Sequence, residues 1–237
     1  MGRKVICIGK GALGKAFEAY GVTTLDKKEC DVNDIHSLNE TFLKYKPEIV
    51  INCTGLVGTK ICEENKSESF LINIGGVVNL IYICNKYNVK LIHFSTFYSG
   101  ISNTYTHTKF MSDYMLDFSN IDNLIIKLPW MFGNFNNNNF IKDAIFGESK
   151  IYKNENGYIC YDYDLIKYVL DNLDKSGLIS IANEGKVSRE DVIRFIGKKW
   201  KYIYREIPMM NSLIRPKVEL RNWKEALGEY INGLRTM

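Results

Sequence analysis

The sequence predicts an α/β fold, because short apolar segments alternate with helical patterns from residue 4 to about residue 128. The first apolar segment, Val5–Ile8, leads into a glycine pattern and then into a helical segment. After residue 129 the alternation gives way to an asparagine-rich loop and shorter, mixed elements. Together these observations predict a Rossmann-like doubly wound parallel sheet over residues 1–129. A small C-terminal substrate-binding lobe, interleaved with the sheet, is expected over residues 130–237.

The elements follow in order from local signals. Asn33 or Asp34 is a suitable N-cap for the second helix, and Pro47 precedes the third strand. Strands are expected at 5–8, 22–25, 48–53, 90–95 and 123–128. Helices are expected near 15–19, 34–44, 67–87 and 105–118. In the second part, helices are expected at 140–146, 163–173, 190–200 and 223–234, with strands near 151 and 178–182.

The composition excludes several classes of function. With 46% hydrophobic residues, 24% charged residues and a net charge of +4, it is typical of a globular protein, and no basic block indicates a nucleic-acid partner. The apolar runs are shorter than the ~18–20 residues of a membrane helix, and the N-terminus does not resemble a signal peptide. The six cysteines lack the spacing of metal ligands. We therefore expect a cytoplasmic location with no membrane partner and no metal site.

The glycine pattern of residues 9–14 is the strongest functional signal. A strand, a G-x-G-x-x-G turn and a helix start form the arrangement that binds dinucleotides. Gly9 would allow the tight turn, Gly11 the close approach of the backbone to a pyrophosphate, and Gly14 the packing of the helix on the strand. The predicted cofactor contacts here are Gly9, Lys10, Gly11, Ala12, Leu13 and Gly14.

A second constellation would carry the chemistry. Tyr105 and Lys109 are spaced as Y-x-x-x-K at the start of a helix, so both lie on one helical face. We expect Lys109 to lower the phenol pKa and Tyr105 to exchange a proton near neutral pH. The preceding strand ends in Ser95 and Thr96, whose hydroxyls would lie at the ligand-binding edge of the sheet. Thr96, Tyr105 and Lys109 are therefore the predicted catalytic residues of a hydride-transfer site, and Tyr105 and Lys109 also the predicted contacts to the cofactor.

The choice of cofactor stays open at this level. Asp26, at the end of the second strand, is suited to a ribose 2′-hydroxyl and would favour NAD(H). Lys27 and Lys28 follow and are suited to a 2′-phosphate, which would favour NADP(H).

With these motifs in place, the chain resembles the extended short-chain dehydrogenases/reductases, and most closely their dTDP-4-dehydrorhamnose reductase branch. The resemblance covers nearly the whole chain and includes residues 5–14, 52–55, 93–96 and the Arg-Pro pair at 215–216. It implies an NAD(P)H-dependent oxidoreductase that reduces a nucleotide-linked 4-keto-6-deoxyhexose in deoxysugar biosynthesis. A nucleotide-sugar substrate is thus the implied partner, and a homodimer is left open.

The resemblance also assigns residues that local patterns do not. The implied further cofactor contacts are Asp31, Val32, Cys53, Thr54, Gly55, Asn73 and Pro129. The implied substrate contacts, besides Thr96, are Trp130, Phe132, Asn139, Phe140 and Arg215. Cys62 corresponds to a cysteine that some relatives use as an acid/base in 3,5-epimerisation.

Departures from the family pattern keep two alternatives open. Eight residues separate Thr96 from Tyr105, fewer than is usual in the family, although they reach roughly 25 Å when extended. Phe97 stands where the family has an aspartate. A bifunctional 3,5-epimerase/4-reductase using Cys62 is one alternative reading. A non-catalytic NAD(P)-binding regulatory subunit is the other, favoured by the short loop.

Overall fold

The computed structural model describes residues 3–97, 102–136, 140–146, 149–152, 156–203 and 215–235. Backbone packing divides the chain into two compact units. The first unit comprises Met1–Thr96, Ser102–Lys127 and Asn172–Ile179. The second comprises Phe97–Ile101, Leu128–Asp171 and Ser180–Met237.

Strands and helices alternate along the described chain. The strands are β1 (Val5–Ile8), β2 (Thr23–Leu25), β3 (Ile49–Asn52), β4 (Lys90–Thr96), β5 (Asn123–Leu128), β6 (Trp130–Phe132), β7 (Ser149–Tyr152), β8 (Asn156–Gly157), β9 (Ile159–Tyr161), β10 (Gly177–Glu184), β11 (Val187–Ser188), β12 (Trp200–Ile203) and β13 (Val218–Asn222). The helices are α1 (Ala12–Ala19), α2 (Ile35–Tyr45), α3 (Thr59–Glu64), α4 (Lys66–Phe70), α5 (Gly76–Tyr87), α6 (Thr104–Asp117), α7 (Phe140–Phe146), α8 (Asp162–Asp171), α9 (Arg189–Ile196) and α10 (Trp223–Arg235). A π-helical turn, Leu71–Gly75, joins α4 to α5.

The first unit is built on parallel strands in the order β2-β1-β3-β4-β5, and β10, which begins in this unit at Gly177, follows β5. Ile8 of β1 lies opposite Asn52 of β3, and Asn52 lies opposite His93 of β4. This register brings the residues that follow β1 and β3 to one edge of the sheet. In the second unit β10 continues and pairs in parallel with β13, which completes a seven-stranded sheet. The predicted doubly wound parallel sheet is confirmed.

The first unit has a hydrophobic core between its strands and helices. Strand residues such as Ile8, Val50 and Leu91 are fully buried, as expected for strands covered on both faces. Leu38 of α2 and Leu80 of α5 pack against them. Burial of these helical faces fixes the strand ends, from which the loops of the candidate site begin.

The second unit has its own core, around α10 and β9. Phe132, Tyr161 and Tyr230 pack with Trp223 and neighbouring aliphatic side chains. Its short strands pair as β6 with β9, β7 with β12 and β8 with β11.

One expectation about apolar runs needs correction. The continuous helical run Lys66–Tyr87 is 22 residues long and passes as a membrane span by length and composition. The fully buried Leu80, Ile83 and Cys84 place one face of this run in the core of the first unit. The same test is passed by core helices of globular proteins, so the run is weak evidence for a membrane span.

Candidate active site

The glycine turn combines two crowded glycines with one open glycine. Gly9 has φ +102°, and a Cβ there would lie 2.7 Å from the backbone of Cys53 and Thr54. A Cβ on Gly14 would lie 1.9 Å from the Gly9 carbonyl oxygen, so α1 packs directly on the turn. Gly11, the N-cap of α1, has no atom within 4 Å of its Cβ position. The open space therefore lies at the helix N-terminus, where backbone N–H groups can bind a phosphate.

A cavity of about 220 Å³ lies beside this turn. Most of its lining was predicted from the sequence. The predicted lining residues are Gly9, Lys10, Gly11, Lys27, Asp31, Val32, Cys53, Thr54 and Gly55. Sequence reasoning missed Cys30, Asn33 and Ile72, which also line the cavity and carry no motif of their own. Predicted contacts Ala12, Leu13 and Gly14 lie in α1.

A larger cavity of about 360 Å³ lies at the other end of the strands. It is lined by Ile49 and Lys90, the first residues of β3 and β4, together with Arg3 and Asp122. Ligands of open parallel sheets bind at the carboxyl ends of the strands. The smaller cavity, beside the glycine turn, is therefore the candidate nucleotide site.

The charged side chains near this cavity have different partners within the protein. Asp26 Oδ1 accepts hydrogen bonds from the backbone N–H groups of Lys28 (2.8 Å) and Glu29 (3.1 Å). Lys10 and Lys27 line the cavity, where Lys10 Nζ lies 2.6 Å from Glu18 Oε1. One carboxylate oxygen of Asp26 is thus occupied by its own turn. The two ammonium groups at the cavity are ion-paired, Lys10 with Glu18 and Lys27 with Asp31 at 4.0 Å.

The predicted catalytic residues lie in the first unit, at the carboxyl end of β4 and on α6. A side-chain hydrogen bond joins Tyr105 to Thr96, the last residue of β4. Helix α6 begins with a capping box in which Asn103 Oδ1 accepts the N–H of Thr106, and this box fixes the first turn of the helix. The Thr104 N–H donates to Glu63 Oε1 of α3 at 2.6 Å, a link that the sequence did not predict.

Burial dominates the titration of both predicted acid/base groups. It raises the pKa of Tyr105 to about 12, against the smaller lowering effect of the Thr96 hydrogen bond. It lowers the pKa of Lys109 to about 8, since only 6% of this residue is exposed. The nearby Asp113 carboxylate is the largest opposing influence on Lys109. The expectation that Lys109 lowers the phenol pKa is wrong, because burial raises that pKa and Tyr105 holds its proton at neutral pH.

A buried ionic cluster supports this helix. Asp113 Oδ2 accepts a hydrogen bond from Ser95 Oγ at 2.7 Å and lies 3.4 Å from Lys127 Nζ. Ser95 precedes Thr96 on β4, so the contact fixes α6 against the strand that carries the threonine. The negative charge on Asp113 compensates in part for the burial of the Lys109 ammonium.

Cys62 lies near the same groups. It is buried on α3, and its thiol donates to the Leu56 carbonyl oxygen at 3.4 Å. Charge on Cys62 would influence both Tyr105 and Lys109, so the thiol lies within electrostatic range of each. Burial raises the pKa of this thiol, against the lowering effects of a Ser69 hydrogen bond and the Lys109 charge.

Asn73 uses its amide within the protein. Its Oδ1 accepts the Leu56 N–H at 2.7 Å, and its Nδ2 donates to the Leu56 carbonyl at 3.0 Å and to Thr108 Oγ1 at 3.0 Å. The side chain thus holds the loop after β3 against α6. This is a supporting position beside the predicted cofactor contacts Thr54 and Gly55.

The predicted substrate residues lie in the second unit, except for Thr96. Trp130 and Phe140 form an edge-to-face pair with centroids 5.1 Å apart, and the Arg189 guanidinium lies 4.8 Å and 5.0 Å from the two rings. Sequence reasoning missed Arg189, which has no motif signal. Phe132 is fully buried and stacks on Tyr161 at 5.1 Å, so its ring belongs to the core.

The remaining predicted residues are less constrained. Arg215 has a side chain that is 81% exposed, and its Nε donates to Glu219 Oε1 at 3.0 Å. Pro129 stands directly between β5 and β6. Asn139 lies outside the described residues. In the described part of the chain, no group of three or more His, Cys, Asp or Glu residues is arranged to hold a metal.

The comparisons with known proteins agree with this geometry. Residues 7–99 match the family model described as the RmlD substrate binding domain. The spore coat polysaccharide biosynthesis protein SpsK of Bacillus subtilis is 22% identical, with 90% of this chain and 88% of that protein covered.

Solved structures share the fold over the whole chain. The dTDP-4-dehydrorhamnose reductase of Bacillus anthracis, solved in complex with NADP, superposes with a TM-score of 0.83 at 20% identity, covering 98% of this chain and 100% of that one. WbmH of Bordetella bronchiseptica, solved with NAD+, gives a TM-score of 0.81 at 14% identity, with 99% of each chain covered. The resemblance predicted from the motifs is confirmed, because the family model matches residues 7–99 and the solved structures share the fold.

Proposed function

We propose that this chain is an NAD(P)H-dependent reductase of a nucleotide-linked 4-keto-6-deoxyhexose, acting in deoxysugar biosynthesis. The observation that carries the proposal is the hydrogen-bonded pair Tyr105 and Thr96, with the buried Lys109 one helical turn on. These groups share one unit with the open glycine turn. Relatives named as dTDP-4-dehydrorhamnose reductases and dTDP-4-keto-6-deoxy-D-glucose reductase add support for the substrate class.

The residues present fit a dinucleotide. The space beside Gly11 is open, and the N-terminus of α1 faces it with N–H groups that suit a pyrophosphate. The bound dinucleotide supplies the hydride for the reduction. Thr54 and Gly55 line the same cavity.

In this mechanism Tyr105 is the general acid. Its phenol, protonated at neutral pH, donates its proton to the substrate carbonyl oxygen as that oxygen gains charge. The Thr96 hydroxyl, already hydrogen-bonded to Tyr105, orients the phenol and the same oxygen. Lys109, mostly cationic at pH 7, stabilises the phenolate that remains.

The direct test is a reductase assay with purified protein. NADPH and NADH are each offered with dTDP-, UDP- and GDP-linked 4-keto-6-deoxy sugars, and the absorbance of the reduced nicotinamide is followed while NMR identifies the product. We expect oxidation of the dinucleotide with one of these sugars and formation of a 4-hydroxy product. Dinucleotide binding without turnover on any of them would favour the non-catalytic subunit instead.

The lysines at the cavity lead us to propose a preference for NADP(H). Lys10 and Lys27 line the cavity, whereas Asp26 Oδ1 accepts two backbone N–H groups of its turn. Ammonium groups suit the 2′-phosphate of NADP(H). A carboxylate that is free to accept a hydrogen bond from the ribose 2′-hydroxyl would favour NAD(H) instead.

This preference is measurable by binding alone. Calorimetry should show tighter binding of 2′,5′-ADP than of 5′-ADP, and Lys27→Glu should reduce that difference about tenfold. Lys60→Glu, a charge reversal at an exposed lysine of α3, is the matched control and should leave it unchanged. Equal affinities for the two nucleotides in the wild type would refute the preference.

A second candidate is the bifunctional 3,5-epimerase/4-reductase. The position of Cys62, within electrostatic range of Tyr105 and Lys109, favours it. A thiol there could move the protons at C3 and C5 before reduction at C4.

We also propose that the second unit supplies the substrate contacts. Trp130, Phe140 and Arg215 are the described candidates. Arg215→Ala should raise the KM for the sugar nucleotide and leave that for the dinucleotide nearly unchanged. An unchanged KM for the sugar nucleotide would remove Arg215 from the site.

The proposal also includes a cytoplasmic location and a homodimeric state. A cytoplasmic location accords with six cysteines that form no disulfide among the described residues. A homodimer accords with exposed apolar side chains on α6, including Met111 and Tyr114. Light scattering coupled to gel filtration tests the dimer directly.

A further inference from the structure

His93 is a buried polar residue in the middle of β4 that the mechanism above does not use. Only 1% of it is exposed. Its Nδ1 lies 3.0 Å from Nδ2 of Asn52 on β3, and its Nε2 lies 3.3 Å from Oγ of Ser112 on α6. The ring therefore bridges a neighbouring strand and the helix that carries Tyr105 and Lys109.

The surrounding donors fix the proton arrangement of this ring. Asn52 Oδ1 accepts both the N–H (2.9 Å) and the hydroxyl (2.6 Å) of Thr54, so the other end of the amide, the donor Nδ2, faces His93. Nδ1 of His93 must then be the bare acceptor, and Nε2 carries the proton and donates to Ser112. The Ser112 hydroxyl donates in turn to the Lys109 carbonyl oxygen at 2.8 Å.

The two ends of this chain of hydrogen bonds lie at functional positions. At one end Thr54, two residues after the end of β3, lines the candidate nucleotide cavity. At the other end the carbonyl group of Lys109 belongs to α6, one helical turn after Tyr105. Each polar atom in the chain has one role, and exchanging any donor for an acceptor leaves a buried group without a partner.

We propose that His93 is a positioning residue that holds the Thr54 loop of the nucleotide site and the Lys109 turn of α6 in register, as a neutral Nε2–H tautomer. The inference rests on the proposed function, because it assigns His93 to the supporting structure of that site. It goes further in coupling dinucleotide binding to the placement of the proton-transfer helix through one side chain.

Electrostatics supports the neutral form. Burial lowers the pKa of His93 well below its usual value, and the Lys109 charge lowers it further. The groups that face the ring are Asn52 from β3, and Ser112 and Lys109 from α6; of these, Lys109 is the charged one. A protonated ring would present a donor to the donor Nδ2 of Asn52 and break the chain there.

Two substitutions of His93 each keep one of its two hydrogen bonds and remove the other. His93→Asn places an amide oxygen near the former Nδ1, so it can still accept from Asn52 but no longer reaches Ser112. His93→Gln places an amide nitrogen near the former Nε2, so it can still donate to Ser112 but leaves Asn52 without its acceptor. Ser112→Ala removes the helix link from the other side. Ile83→Ala, at a buried position of α5, is the matched control. It destabilises the fold but leaves the hydrogen bonds of His93 intact.

Turnover and dinucleotide affinity should separate these variants. We expect His93→Asn and Ser112→Ala to lower kcat about tenfold with little change in the Kd for NADPH, and to be non-additive when combined. We expect His93→Gln to raise the Kd for NADPH about tenfold. Ile83→Ala should lower the melting temperature without changing either quantity. Wild-type kcat and Kd in His93→Asn, His93→Gln and Ser112→Ala would overturn the positioning role. Losses of kcat or of NADPH affinity in the Ile83→Ala control as large as in these variants would also overturn it.

A spectroscopic measurement keeps the inference independent of activity and of variant folding. The chain has three histidines, so ¹⁵N NMR of the wild type should resolve the His93 ring. At pH 6, where an ordinary histidine is mostly protonated, we expect His93 to show a bare Nδ1 and a protonated Nε2. A charged ring or the opposite tautomer would refute the assignment. If the wild type reduces no nucleotide sugar, the proposed function fails. The role of His93 is still decided in that case, by the NMR result and by the dinucleotide affinities.

Discussion

A valine at position 11 should remove dinucleotide binding while leaving the fold intact. Gly11 has φ −75° and ψ −160°, an extended conformation that valine adopts readily, and its Cβ position has no atom within 4 Å. The Cβ of the new side chain would therefore meet no protein atom. The side chain would occupy the open space at the N-terminus of α1, where a phosphate would bind the backbone N–H groups. Each charge-assisted hydrogen bond to a phosphate that is lost costs about 1.5–3 kcal/mol, so we expect the Kd to rise about 10- to 100-fold.

The matched variant is Gly14→Ala, which should act in the opposite way. Its Cβ would lie 1.9 Å from the Gly9 carbonyl oxygen, and because both groups belong to the backbone, α1 must shift. Overpacking of this kind costs about 3 kcal/mol, which corresponds to a melting temperature lower by roughly 6–12 °C for a chain of this size. Gly11→Val should stay within about 1 kcal/mol of the wild type.

Calorimetric titration with NADPH and thermal unfolding by circular dichroism measure the two effects. The reasoning requires that Gly11→Val loses affinity at a nearly unchanged melting temperature. Titration curves for Gly11→Val that superpose on those of the wild type would refute the assignment of the open glycine to the phosphates. A Gly14→Ala protein as stable as the wild type would refute the close packing of α1 on the turn.

Three further predictions concern the proton-transfer groups. Tyr105→Phe should lower turnover by ~10²–10⁴, as for a lost general acid, with little effect on the Kd for NADPH; stopped-flow and steady-state kinetics measure this, and full activity would exclude Tyr105 as the acid. Lys109→Met should stabilise the fold at pH 7 by on the order of 3 kcal/mol in chemical denaturation, because folding lowers the Lys109 pKa from 10.5 to about 8. That gain should shrink as the pH rises from 8 to 10.5, where the unfolded chain still binds the proton that the folded protein has released; a gain independent of pH would contradict the shift. Cys62→Ser should keep reduction of an already epimerised 4-keto sugar, since burial raises the thiol pKa and leaves little thiolate for epimerisation; wild-type exchange of the C3 and C5 protons with deuterated water, abolished in this variant, would establish the bifunctional enzyme.

The first half of the fold could be predicted from the sequence because its signals are local. Strands β1, β3, β4 and β5 are each centred on a short apolar run. The N-cap of α2 is Asp34, one of the two predicted candidates, and its carboxylate accepts the His36 N–H at 2.8 Å. The glycine turn lies where the motif places it. These elements depend on contacts between near neighbours in sequence or on strand burial that composition reveals.

The elements that were missed depend on distant partners. Strands β6, β8, β9 and β11 have two or three residues each, and their pairing joins segments far apart in the chain. Helix α3 lies in a stretch of charged and polar residues without a clear apolar stripe, so periodicity does not show it. Helix length and capping alone could not place these segments.

The candidate site shows the same division between local and distant information. The spacing of Tyr105 and Lys109 predicted that they share one face of a helix, but not that burial would control their titration. Contacts such as Glu63 with the Thr104 N–H, or His93 with Ser112, connect residues 41 and 19 positions apart and carry no motif. Sequence patterns therefore predicted the groups proposed to act, and only the fold identified the groups that hold them.

Burial favours the neutral form of both Tyr105 and Lys109, and this has one further consequence for the chemistry of the site. Tyr105, with a pKa of about 12, keeps its proton across the physiological range, whereas Lys109, with a pKa of about 8, begins to lose its charge just above it. The alkaline limit of activity should therefore be set by the lysine that stabilises the phenolate and not by the phenol that donates the proton. Asp113, the largest influence that raises the Lys109 pKa, is held by Ser95 and Lys127, so the charge state of the site depends on side chains that touch neither substrate nor cofactor in the proposed mechanism.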